Sequence, residues 1–126
     1  MKRSLAALVI FFICVITSVY CYENNKRTLK SAEITINEIQ SLCETGDLSH
    51  ALKKANDFNA DWKTKHKILN ITVDRSLLKE IETAISAIPY FIRNAKIDEA
   101  KKSCENAVSD IEYLLECEKL TFENIF

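Results

Sequence analysis

Hydrophobic and polar positions divide this chain into two unlike stretches. From Ser4 to Tyr22 there is no charged side chain, and Leu5, Leu8, Val9, Ile10, Phe11, Phe12, Ile13, Val15, Ile16 and Val19 make the run apolar all round. From Glu23 onward, apolar residues return every three or four positions among Lys, Arg, Asp and Glu, as in amphipathic helices. The first stretch predicts a helix that lies in lipid. The second predicts helices that pack on one another.

At about 1.5 Å per residue, the apolar run reaches roughly 28 Å, close to the hydrocarbon thickness of a bilayer. Lys2 and Arg3 precede it, and Tyr20 and Tyr22 stand at its far end, where amphipathic rings favour the headgroup level. Residues 1–22 therefore read as a transmembrane anchor of the signal-anchor kind. A cleaved signal peptide would share the basic start and apolar core. However, Thr17-Ser18-Val19-Tyr20-Cys21 lacks alternate small residues, and Tyr20 ill suits a lipoprotein signal before Cys21. Anchor is the leading reading and export with cleavage the alternative. Lys26, Arg27 and Lys30 nearly balance Lys2 and Arg3, so the charge rule is weak here. The short leading segment favours a carboxyl-terminal domain outside the cytoplasm, with the protein a single-pass component of the cell membrane.

Four amphipathic helices follow over residues 23–119. Leu29, Ala32, Ile36, Ile39 and Cys43 mark the first, which continues the anchor without a breaker, so the two read as one rod. Gly46 suits a left-handed exit, and Asp47 suits the cap of a second helix carrying Leu48, Ala51, Leu52, Ala55, Phe58 and Trp62. Asp74 reads as the cap of a third, with Leu77, Leu78, Ile81, Ala84, Ile85, Ile88 and Ile92. Pro89 predicts a kink or break near Ala87. The fourth shows Ile97, Ala100, Cys104, Ala107, Ile111 and Leu114, with Asp98 and Glu99 in its first turn. The apolar tail 120–126 is expected to dock through Leu120, Phe122, Ile125 and Phe126. Gly46 to Lys54 resembles Ala95 to Lys102 at an offset of 49, which points to two stacked helical hairpins. The fold class is all-α: a transmembrane helix, then an antiparallel bundle of about four helices.

Composition narrows the function. A single glycine and a single proline exclude turn-rich β architectures, and a net charge of −1 with mixed signs gives no basic stripe for nucleic acid. His50 and His66 lie roughly 24 Å apart on one helix, too far to share a metal. The five cysteines include no CxxC pair. Buried free thiols are the simpler reading, and a Cys43–Cys104 bond outside the cytoplasm is the alternative. Paired carboxylates such as Asp98/Glu99 and Glu116/Glu118 read as solvated helix faces. Asn70-Ile71-Thr72 reads as a chance match to a glycosylation acceptor.

The Trp62 region, with Lys67-Ile68-Leu69, the run Val73 to Glu82, and the ending Leu120-Thr121-Phe122-Glu123-Asn124-Ile125-Phe126 resemble one family over nearly the whole chain. It comprises small bacterial membrane-anchored helical proteins known as domain of unknown function 4363. That resemblance implies architecture and location but no reaction. The family pattern carries a histidine in the loop after the second helix, where this chain has Asp74-Arg75, and this weakens any metal site there.

The expectation is a non-enzymatic, membrane-tethered interaction or scaffolding module working with another membrane protein, with no cofactor, metal or nucleic acid. The alternative is an extracytoplasmic binding protein for a small ligand or envelope component, held in a groove near Trp62. Candidate contacts are Trp62, Phe122, Ile125 and Phe126.

Overall fold

A computed structural model describes residues 1–69 and 75–125, apart from the side chains of residues 66–68 and 125. The expected Asp74 cap, the Asn70-Ile71-Thr72 site and the side chain of His66 fall outside what is described. Four helices account for the described chain: α1 (Lys2–Thr45), α2 (Leu48–Ile68), α3 (Arg75–Arg93) and α4 (Ile97–Ile125). No strand occurs among the described residues.

The apolar run and the first bundle helix form a single rod. At 44 residues, α1 is roughly 66 Å long. No residue from 2 to 20 is buried, whereas Asn25, Leu29, Ala32, Ile36, Ile39 and Cys43 all are. Nothing in the sequence between these halves interrupts the backbone, so the helix changes environment without changing shape.

Each helix packs on its neighbours in the chain, and α4 closes back on α1. A few polar contacts mark the register. Lys54 pairs with Glu38, Ser86 donates to Asn59 at 3.5 Å, Ser103 donates to the Ala84 carbonyl at 2.9 Å, and Gln40 donates to Glu105 at 3.3 Å. Between these helices Ile36, Ile39, Trp62, Ile81, Ile85, Ile88, Ile111 and Leu114 are almost fully removed from water. Burying each aliphatic side chain contributes about 1.5–3 kcal/mol, which outweighs the weak surface ion pairs.

The repeat at 49 residues is structural. Leu29 and Leu78, Ala32 and Ile81, Ile36 and Ile85, Ile39 and Ile88, and Cys43 and Ile92 are all buried. So are Ala51 and Ala100, Ala55 and Cys104, Phe58 and Ala107, and Trp62 and Ile111. The two turns match as well. Gly46 N–H donates to the Cys43 carbonyl and Asp47 N–H to Leu42; Ala95 N–H donates to Ile92 and Lys96 N–H to Phe91. Gly46 has φ +84° and Ala95 has φ +58°, so one turn uses glycine in the left-handed region and the other forces a Cβ into it.

Three local expectations are corrected. Asp47 occupies the N-cap of α2 but makes no capping bond; its carboxylate accepts instead from His50 Nδ1 at 2.7 Å. Pro89 does not break α3, which runs on to Arg93. Only one backbone donor is lost there, and Ile88, Pro89 and Ile92 are all buried around it. Finally, α4 does not end near Glu118. With no glycine or proline to stop it, the helix takes in the apolar tail as far as Ile125.

Candidate functional site

Unequal helix lengths create the site. Since Ala84 meets Ser103, Arg75 at the start of α3 lies level with about Glu112 of α4. From there α4 continues roughly 20 Å further. In the same way Lys54 against Glu38 sets Ile68, the end of α2, near Asn24 of α1. Beyond that level only α1 and α4 run on together among the described helices, joined by Tyr22 stacked on Phe122 with ring centroids 4.3 Å apart and planes 11° from parallel.

Their core-facing stripes continue past the end of the core. On α1 the buried series Cys43, Ile39, Ile36, Ala32, Leu29, Asn25 extends at the same spacing to Cys21, Ser18 and Cys14. On α4 the series Ala107, Ile111, Leu114, Glu118 extends to Thr121 and Phe122. The result is a groove of about 370 Å³ lined on α1 by Ile13, Cys14, Thr17, Ser18, Cys21, Tyr22 and Asn25 and on α4 by Glu118, Thr121 and Phe122. Asn25 (3% exposed) and Glu118 (8%) form its bundle end. A second groove of about 310 Å³ shares Tyr22 and Glu118 with the first and adds Lys26, Lys30, Glu112, Glu116 and Lys119. A third, about 610 Å³ between α3 and α4, is lined by small and polar side chains including Ser103, Ser109 and Asp110.

The four sequence candidates do not form one site. Trp62 is 1% exposed, set against Phe58 at 6.2 Å between ring centroids, and lines none of these grooves. Its indole Nε1 has no acceptor among the described residues. Phe122 docks as expected, on Tyr22, and lines the first groove. Leu120 is half exposed rather than docked. The Ile125 side chain and Phe126 lie outside the described residues. Sequence reasoning missed Asn25 and Glu118. The signal was there: the three-and-four spacing that places Leu29 and Leu114 inside also places Asn25 and Glu118 inside.

All five cysteines are free thiols, and Cys43 and Cys104 are both buried. Burial pushes the Cys104 thiol up to about 12, aided by Cys43 and Glu105, and raises Cys43 as well. Such thiols are poor nucleophiles, because the reactive form is the thiolate. Glu33 is held above its usual range, first by burial and then by the Glu112 carboxylate, with which it shares a hydrogen bond; Lys30 opposes the shift. Burial raises Asp110. His50 is exposed. Among the described residues no three His, Cys, Asp or Glu side chains converge to hold a metal.

Fold and groove define an all-α bundle whose first helix carries an apolar extension long enough to span a membrane. The model of the family named Domain of unknown function (DUF4363) matches residues 19–125, and the chain belongs to that family. No curated protein and no solved structure matches the chain.

Proposed function

We propose that this protein is a membrane-tethered, non-catalytic interaction module, single-pass in the cell membrane with its bundle outside the cytoplasm. The observation that carries this reading is α1 itself. One uninterrupted helix supplies both the apolar extension, exposed along residues 2–20, and the Leu29-to-Cys43 stripe buried in the bundle. A domain built this way is held at a fixed height and orientation above the lipid, the property a scaffold needs.

The partner in this reading is another membrane protein, bound through the exposed bundle surface. Ile34, Tyr90 and Tyr113, on three different helices, are large side chains more than half exposed outside the anchor, and they sample the bundle surface for such a contact. The test is photocrosslinking in native membranes from positions 34, 90 and 113, with charged-face positions such as Lys102 as controls. Adducts to one membrane protein from the first set alone support the proposal. The absence of any such adduct refutes it.

A second reading, an extracytoplasmic binding protein, draws support from the 370 Å³ groove between α1 and α4 rather than from the enclosed Trp62.

A further inference from the structure

We infer that the groove between α1 and α4 holds one phospholipid with a primary-amine headgroup, its acyl chain lying along α1 and its ammonium group at Glu118. The inference rests on the membrane-tethered reading and specifies the ligand of the second one.

Size argues first. From Ile13 to Asn25 the groove spans roughly 18 Å of helix. Its 370 Å³ therefore corresponds to a cross-section of about 20 Å². A helix about 10 Å across occupies on the order of 80 Å². A hydrocarbon chain whose neighbours sit at about 4 Å occupies on the order of 20 Å². The space has room for a hydrocarbon chain and too little for a helix of the same length.

Polarity argues next. Toward the anchor the walls are Ile13, Cys14 and Thr17, in the apolar run that a bilayer would surround. Toward the bundle they become Asn25 and Glu118, both at least nine-tenths buried, beside the Tyr22–Phe122 stack at the level where aromatic rings meet headgroups. The gradient is that of a lipid: apolar at depth, polar at the surface.

Charge selects the headgroup. Glu118 offers a carboxyl group at the upper end, whose ionised form a cation brought beside it would favour, and the adjoining groove, which shares Glu118 and Tyr22, offers Lys26, Lys30 and Lys119. An amine-bearing phosphodiester answers both signs, with ammonium toward the carboxylate and phosphate toward the lysines. A glycerol headgroup has no cation for Glu118. A choline headgroup has one but cannot donate a hydrogen bond to it.

The test uses the full chain reconstituted in vesicles of phosphatidylethanolamine, phosphatidylglycerol and phosphatidylcholine in equal parts. Resistance to alkaline carbonate is checked first, and native mass spectrometry after mild detergent extraction then reads the retained lipid. The expected result is one phospholipid per chain, enriched about tenfold in the ethanolamine species, the discrimination that one charged contact gives. Glu118→Gln should bring that enrichment down to the choline level. Thr17→Trp should reduce retention of all three, with helicity by circular dichroism unchanged in both variants. No retained lipid, or enrichment that survives Glu118→Gln, overturns the inference while leaving the tether intact. A chain stripped by carbonate overturns the tether and the inference together. A benzoylphenylalanine at position 18 that captures a protein in native membranes instead of lipid assigns the groove to a partner helix and overturns it as well.

Discussion

The first hairpin, residues 29–68, and the second, α3 with α4, bury the same stations 49 residues apart but fill them differently. At one pair of positions Phe58 and Trp62 stand where the second hairpin has Ala107 and Ile111; at another, Gly46 stands where it has Ala95. Register is shared because slipping it would turn apolar stripes into water. Volume at each station is free to vary, provided bulk from one hairpin is balanced by small residues from the other. The hairpins differ most at the end near the apolar amino-terminal run. There the first reaches backward through α1 and the second forward through α4, and the seam they share changes from isoleucine and leucine to asparagine, glutamate, threonine and cysteine.

Core truncations break the comparison hardest. Trp62→Ala should cost about 3–5 kcal/mol, and its counterpart Ile111→Ala about 2–5 kcal/mol. Ile36→Ala and Ile85→Ala, both at fully enclosed equivalent stations, should each cost about 2–5 kcal/mol and agree within about 1 kcal/mol. Thermal unfolding of the full chain in detergent, followed by circular dichroism, measures all four. A large cost in one hairpin with none in the other would dissolve the equivalence.

Alkaline pH probes the next difference, because Cys104 occupies the station of Ala55. Its thiol stays protonated in the fold up to about 12, while the unfolded chain releases that proton near 9. Between those values the unfolded state binds fewer protons, so stability falls as pH rises, by up to about 1.4 kcal/mol per pH unit. Below 9 the contribution is fully present. Cys104→Ala should flatten this slope in unfolding experiments run between pH 8 and 11.

The turns give a smaller effect with opposite signs. Gly46→Ala should destabilise by about 1 kcal/mol, and Ala95→Gly should stabilise by about 0.5–1 kcal/mol. A Cβ on Gly46 meets nothing within 4 Å, so the cost there is conformational rather than steric. Midpoints moving the same way would contradict the matched turns. The smallest shift is expected at Glu33. Its carboxyl is raised by burial and by Glu112, so the ionised form is disfavoured in the fold and stability is lost as pH rises past the normal carboxylate range. Glu33→Gln should raise the melting midpoint slightly at pH 7 and leave it unchanged at pH 4.

Much of the fold was legible because its determinants are local. Three-and-four spacing located every helix, and the lack of glycine or proline between Tyr22 and Leu29 implied the continuous rod. The misplaced features turn on side-chain geometry that apolar spacing does not show. Asp47 forgoes its cap because His50 is within reach, and α3 tolerates Pro89 while Ile88 and Ile92 hold it in the core. The site was less legible. Trp62 stands both in the apolar series of the second helix and among the candidate contacts, and which of the two it serves is set by the helices packed over it, which enclose it in the core. The groove belongs to no segment; it arises from α1 and α4 outrunning α2 and α3, a difference visible only after the register is fixed.

The tether is tested most directly by intact-mass analysis of the native protein in the carbonate-resistant membrane fraction. The account requires a chain that still carries residues 1–22, with the bundle digested when protease is added from outside the cell. A soluble species beginning after Cys21, or a bundle shielded from external protease, would contradict it.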